Sequence, residues 1–305
     1  MRWLKWLFAP WALVKQAWRR LRDGRGFGVD ELARRMGVPV AQLSDCQPSY
    51  QERRIPKRSG GERVLSVPSE ELKSLQRRLL RRLLKRLRCH PAARGFQPGE
   101  SIVTNALPHV GRAVVVRLDL KDFFPATAAW RVHRYFRRIG WNRPAARLLT
   151  RLCTHQGGLP QGAPTSPRLS NLINYRLDRR IAALASKLEV GYTRYADDIT
   201  LSFPTDDRDR VRYLIRFVRR VAAAEGYRVH GQRKMRVRRR HQQQCVTGLV
   251  VNAGVRLPRR TRRWLRAVEH HLRTGRPATL TPQQLAGWQA LRHMIASQTR
   301  APGEQ

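Results

Sequence analysis

Residues 194–203, RYADDITLSF, set two adjacent carboxylates between segments of strand character. Ile199, Leu201 and Phe203 alternate with Thr200 and Ser202, the period-2 pattern of a half-buried strand. Upstream, VGYTRY (190–195) is rich in β-branched and aromatic residues, so a hairpin with Ala196-Asp197-Asp198 at its tip is expected. A solvated turn is the ordinary meaning of such a pair. A third acid changes the reading. RAVVVRLDLKDFFPAT (112–127) carries a run from Ala113 to Leu118 suited to a buried strand, and Asp119 closes it. Pairing the two strands in one antiparallel sheet gathers Asp119, Asp197 and Asp198, which repel unless cations neutralise them. Two Mg²⁺ ions about 3.5–4 Å apart meet that need and support in-line displacement at phosphorus. Oxygen ligands without histidine suit Mg²⁺, with Mn²⁺ as the alternative.

Charge narrows the partner. Sixty-two Lys and Arg face 21 Asp and Glu, a formal net charge of +41, and the basic residues run through the whole chain. Self-repulsion of that size opposes compaction unless a polyanion is near, and nucleic acid is the leading choice. The hydrophobic share of 41% and eight Trp place the chain among folded proteins. Cys46, Cys89, Cys153 and Cys245 lie far apart without a CxxC pair, which fits a reducing cytoplasm and no disulfide framework. At the N-terminus, MRWLKWLFAPWALVKQAWRRLRD is interrupted by Lys5, Pro10 and Lys15. It falls short of the roughly 18 apolar residues of a spanning helix, so a packed amphipathic helix is expected and no stable membrane insertion.

Between these landmarks the chain alternates helical and strand texture. VDELARRMGVPVAQLSD (29–45) reads as helix, turn, helix, an arrangement common to DNA readers and to small packing units. Gly60-Gly61 separates two short strands, a hairpin signal. From Ser69, Leu72, Leu75, Leu79, Leu83 and Leu87 keep helical spacing, with Arg77, Arg78, Arg81, Arg82, Lys85 and Arg86 on the other side. Residues 128–153 read as helical, with Pro144 near a helix start. Ser166-Pro167 opens a helix after a Gly/Pro-rich loop, and 207–226 form another basic helix. Two helices close the chain, Arg259 to Thr274 and Thr281 to about Gln298.

Other residues fit a nucleotidyl-transfer site. Lys57 and Arg63, beside the Gly-Gly turn, could clamp triphosphate oxygens. Gln161 sits in a Gly-Pro loop whose backbone can approach a nucleotide closely. Phe124 is bulky enough to exclude a ribose 2′-OH, and Lys234 is a further candidate to meet the leaving pyrophosphate. Singly each has an ordinary explanation; their order along one chain does not.

That order resembles the reverse transcriptases. IPKRSGGERVLSVP, RLDLKDFF, GLPQGAPTSPRLSN, YADD and GYRVHGQRK follow the successive motifs of that family, with Tyr195-Ala196-Asp197-Asp198 as its YxDD box. NALPH (105–109) and VTG (246–248) are similar to two words characteristic of retron members. The resemblance implies an α+β right-hand polymerase with an antiparallel palm sheet. Its parts would be a helical N-terminal extension (1–50), fingers (51–112), a palm (113–255) with finger insertions at 128–165, and a short helical thumb (256–305). It implies Asp119, Asp197 and Asp198 as metal ligands, Lys57 and Arg63 on the incoming deoxynucleotide, Phe124 as sugar gate and Gln161 in the nucleotide pocket. Asn105, His109, Val246, Thr247 and Gly248 would contact RNA or hold structure.

A retron enzyme binds a cognate structured non-coding RNA and primes from an internal guanosine 2′-OH. It leaves branched msDNA and serves anti-phage defence beside a separate effector protein. Met235 follows Lys234 where the family usually has threonine, which loosens that one assignment. Other bacterial reverse transcriptases, group II intron-like or diversity-generating, share most of these words. A non-catalytic RNA-binding scaffold has no need of all three acids.

Overall fold

A computed structural model describes residues 26–56, 60–231 and 235–299. Lys57, Lys234 and the N-terminal Trp-rich segment lie outside the described residues. The chain divides into two compact units, Met1–Arg88 with Asp122–Ile173, and Cys89–Lys121 with Asn174–Gln305. It therefore passes from one to the other three times.

In the first unit, β1 (Tyr50–Pro56) and β2 (Glu62–Pro68) form the expected antiparallel hairpin across the Gly60-Gly61 turn. Both glycines have positive φ, at 85° and 77°, where a side chain is strained. Ser69 caps the helix Glu70–Arg82 by accepting from the Leu72 N–H. Leu72, Leu75 and Leu79 are its buried stripe. The leucine spacing predicts continuation to Leu87, but the helix ends at Arg82 and a one-turn 3-10 helix, Leu84–Arg86, follows. Like charges four apart, Arg78, Arg82 and Arg86, repel along the helix. The buried Arg168 guanidinium also donates to the carbonyls of Leu84, Lys85 and Leu87, fixing them outside a helical ladder. Helices Val29–Met36, Val40–Asp45, Ala129–Arg138, Arg143–Cys153 and Ser166–Ile173 complete this unit, with Pro144 in the first turn of its helix.

The second unit is built on a four-stranded antiparallel sheet ordered β4-β5-β3-β6. Its strands are β3 (Val114–Asp119), β4 (Gly191–Tyr195), β5 (Asp198–Phe203) and β6 (Arg236–Arg239). A two-residue pair, β7 (Cys245–Val246) with β8 (Leu249–Val250), makes a separate small hairpin. Helices Tyr175–Lys187 and Arg208–Ala224 belong here. The helix after Ser166 breaks at Asn174, whose side-chain amide donates to the Tyr227 hydroxyl at 2.8 Å. Helices Arg259–Arg273 and Pro282–Thr299 share a core with Val103, Val115, Val246, Leu249 and Val251.

The half-buried reading of 199–203 is corrected by the structure. Thr200 and Ser202, the polar alternates, are as buried as Ile199, Leu201 and Phe203. Alternation records which side chains share a face, and here both faces are covered. None of the four cysteines is in a disulfide.

Candidate functional site

The register of β3 against β5 makes Asp119 and Asp198 direct cross-strand partners, and Tyr195 on β4 pairs with Asp198 from the other side. Asp198 is the first residue of β5, so the turn itself is Ala196-Asp197. Ala196 takes φ 56°, the left-handed geometry a tight hairpin demands. Asp197 is exposed at the turn, and its carbonyl accepts the Leu120 N–H at 2.9 Å. The three acids therefore sit at one end of the β3–β5 ladder. Among the described residues, no group of three His, Cys, Asp or Glu side chains is gathered as a metal cage.

The electrostatics of the end explain how it holds together. Burial pushes the Asp198 carboxyl above its usual range, Arg117 pulls it back, and Asp119 pushes it further up. Arg117, two residues before Asp119 and on the same face, forms an ion pair with Asp198 through Nε and Nη2. Burial opposes the Arg117 charge, yet Asp198 carries it above the ordinary guanidinium range. His230 lies on the other flank of β3. Its N–H donates to the Asp119 carbonyl at 2.8 Å and its Nε2 is 3.7 Å from Asp119 Oδ1. Like charges directly opposite on neighbouring strands are destabilising. An all-oxygen donor set of that kind, crowded enough to raise a carboxyl, fits a hard divalent cation.

Behind the turn stands a buried ion pair that the sequence did not announce. Arg194 and Asp178 are each 0% exposed and bonded twice, at 2.8 and 2.6 Å. Arg194 also donates to the Ala196 carbonyl at 2.9 Å, so the pair props the turn from below. Burial works against the Arg194 charge, and Asp178 more than offsets it. Residues Ala92 to Gly95 run beside β4. The Arg194 N–H donates to the Ala92 carbonyl, and the Arg94 N–H to the Arg194 carbonyl. A Cβ on Gly95 would lie 3.1 Å from the Ala196 nitrogen, so a larger residue there would require the turn to shift by a few tenths of an ångström. Gly95 next to Phe96, ahead of Pro98-Gly99, was the available signal.

The two shorter words meet each other. VTG forms the β7–β8 turn, with positive φ at Thr247 (45°) and Gly248 (85°). The Thr247 hydroxyl donates to the Ile102 carbonyl at 3.0 Å, and the Asn105 amide reaches Thr247 Oγ1 at 3.5 Å. His109 is fully buried, with Nδ1 2.7 Å from Ser202 Oγ and Nε2 2.8 Å from Thr193 Oγ1. Burial, and then Arg112 and Arg94, lower its pKa to about 3, so the ring is neutral. One nitrogen donates and the other accepts. Asn105, His109 and Val246 are buried, and the hydrogen bonds of this pair of words run within the unit.

The nucleotide-site candidates that are described belong to the first unit. Arg63 lies exposed on β2 opposite Ile55. The Gln161 carbonyl accepts the Ser66 N–H at 2.8 Å, tying the Gly-Pro loop to the same strand. Phe124 is partly exposed in the short helix Phe123–Ala126, which starts after Asp122 at φ 48°.

Residues 55–247 match the family described as reverse transcriptase (RNA-dependent DNA polymerase). The Mx162 retron reverse transcriptase of Myxococcus xanthus is 39% identical over 307 residues, covering 87% of this chain and 63% of that protein. The Mx65 retron enzyme of the same organism is 44% identical, covering 71% of this chain and 54% of the relative. The Ec86 retron reverse transcriptase of Escherichia coli is 37% identical, covering 74% and 69%. The chain thus spans 63% and 54% of the length of the two Myxococcus relatives. Among solved structures, telomerase from Candida albicans, in complex with a fragment of telomeric RNA, matches with a TM-score of 0.51. The identity is 12%, over 73% of this chain and 47% of that one.

Proposed function

The chain belongs to the reverse transcriptases of the retron type, and from that premise we propose that it is an RNA-directed DNA polymerase acting in the cytoplasm. It copies part of a cognate structured non-coding RNA into DNA from deoxynucleoside triphosphates. Synthesis starts at the 2′-OH of an internal guanosine and leaves branched msDNA, in anti-phage defence with a separate effector protein. Residues 51–112 act as fingers, 113–255 as palm with the insertion 128–165, and 256–305 as thumb, behind an N-terminal extension at 1–50.

The observation that carries this reading is the placement of Asp119 opposite Asp198, with Asp197 in the adjoining turn. These three carboxylates are the residues that would hold divalent metal. Mg²⁺, or Mn²⁺, bound there lowers the pKa of an attacking hydroxyl and stabilises charge in an in-line displacement at phosphorus. Arg117 holds Asp198 in place through their ion pair and opposes the upward push of burial on its carboxyl. Lys57 and Arg63 hold the triphosphate through charge-assisted hydrogen bonds. Phe124 excludes a ribose 2′-OH, Gln161 lines the nucleotide pocket, and Lys234 meets the departing pyrophosphate. Asn105, His109 and the Val246-Thr247-Gly248 turn act on RNA indirectly, by fixing the surfaces around them.

Primer extension on an RNA template with Mg²⁺ tests the reading. Asp197→Asn and Asp119→Asn are expected to abolish incorporation while RNA binding persists. A wild-type chain that binds RNA but extends no primer with either Mg²⁺ or Mn²⁺ is a scaffold. Nucleic acid copurified from the host distinguishes the lineages. DNA joined to RNA by a 2′–5′ linkage supports the retron product, whereas unbranched RNA alone favours a group II intron-like or diversity-generating enzyme.

A further inference from the structure

Four arginines of the first unit converge on one hollow. Arg34 and Arg35, from the helix Val29–Met36, face Arg82 and Arg86, from the end of the helix Glu70–Arg82 and the turn beyond it. Together with Leu83 and Leu87 they line a cavity of about 500 Å³. Among the described residues, no carboxylate lines it. Glu31 bonds Arg34 at 2.7 and 2.8 Å and Arg35 at 2.6 Å.

The concavity is held in shape from behind. The Arg35 guanidinium lies 4.1 Å from the Phe27 ring centre and 5.4 Å from that of Trp141, stacked in place rather than free to swing. The turn bearing Arg86 is clamped through three carbonyls by the buried Arg168. An arginine at a helix end is often explained by the helix dipole, and Arg82 has that use. Arg34 and Arg35, in the last turn of their own helix, share that use, but the dipole does not explain why two helix ends open on one hollow that Arg86 also lines. Fixed guanidinium groups match phosphate oxygens in paired hydrogen bonds. Folded RNA is read largely through its phosphates and 2′-hydroxyls.

We propose that the Arg34, Arg35, Arg82 and Arg86 cavity is a docking site for the sugar-phosphate backbone of folded, A-form RNA. The choice of RNA rests on the polymerase reading above; the anion chemistry does not.

The test compares the full-length chain with its Arg82→Gln/Arg86→Gln and Arg82→Lys/Arg86→Lys variants. The probe is an RNA hairpin of about 16 base pairs, the reach of a shape reader, with a DNA hairpin of matching sequence beside it. The Gln pair is expected to lower the log–log salt slope of RNA binding by about 2 and the affinity by about tenfold. The Lys pair restores the slope. Extension of oligo(dT) on poly(rA) proceeds at the wild-type rate in both. Unchanged slope and affinity in the Gln pair overturn the proposal, as does equal weakening of the DNA hairpin. A parallel loss of oligo(dT) extension also overturns it, because the residues then act through the fold. If wild type binds the hairpin with the expected slope but extends nothing, the polymerase reading fails and the docking site stands.

Discussion

Arg194 and Asp178 form the most consequential pair of side chains outside the acids themselves. Both are withdrawn from water; they bond each other, Tyr192 donates to Asp178, and Arg194 donates to the Ala196 carbonyl. Removing one partner leaves a buried charge without compensation, at a cost of about 3–5 kcal/mol. Arg194→Met is therefore expected to lower the urea midpoint markedly, with Arg194→Met/Asp178→Leu recovering part of the loss. A single variant as stable as wild type removes the pair from its supporting role. His109 gives a pH signature. Its folded pKa of about 3 lies below the ordinary value of about 6.5, so the unfolded chain takes up a proton that the native ring refuses. The stability this group contributes is complete above about pH 6.5 and is lost as pH falls toward about 3. Over that window wild type should lose more stability than His109→Gln in parallel denaturation curves. Identical losses would show that the ring does not titrate this way.

At the scale of elements, two neighbouring glycines have different reasons to exist. Gly157 has φ 81° and open space around it, whereas a Cβ on Gly158 would lie 2.1 Å from the Pro125 carbonyl oxygen. Gly157→Ala should cost about 1–2 kcal/mol through backbone strain alone. Gly158→Ala should cost more, because backbone must move to admit the methyl. Thermal melts of the two variants rank them; the reverse order contradicts the packing. Gly248→Ala, at φ 85° in the β7–β8 turn, should also lose about 1–2 kcal/mol. The turn holds Thr247 against Ile102 and Asn105, so that loss loosens the joint between the two short words.

For the molecule as a whole, charge is the governing quantity. At +41, the chain freed of nucleic acid repels itself, and screening should relieve the strain. Its melting temperature is expected to rise with added salt and, if folded RNA is the ligand proposed above, to rise again when that RNA is added. A melting temperature indifferent to salt would mean the charges are already compensated within the fold.

The sequence by itself determined the hairpins at 60–61 and 196–197, the strand closed by Asp119, and most helix starts. Those depend on neighbours a few residues apart, where turn chemistry, capping and periodicity act. It also gave the net charge of +41 that makes a polyanionic partner the expectation, since net charge needs no coordinates. Only the tertiary structure decided which polar residues are interior. Thr200 and Ser202 carry the alternation of an exposed face, yet His109, 93 residues before Ser202, covers it. Asn105 and Thr247 meet across 142 residues, and Arg78, Arg82 and Arg86 end a helix whose leucines continue. Such contacts leave no local pattern, because burial and ion pairing are settled by whatever part of the chain arrives, not by spacing along it.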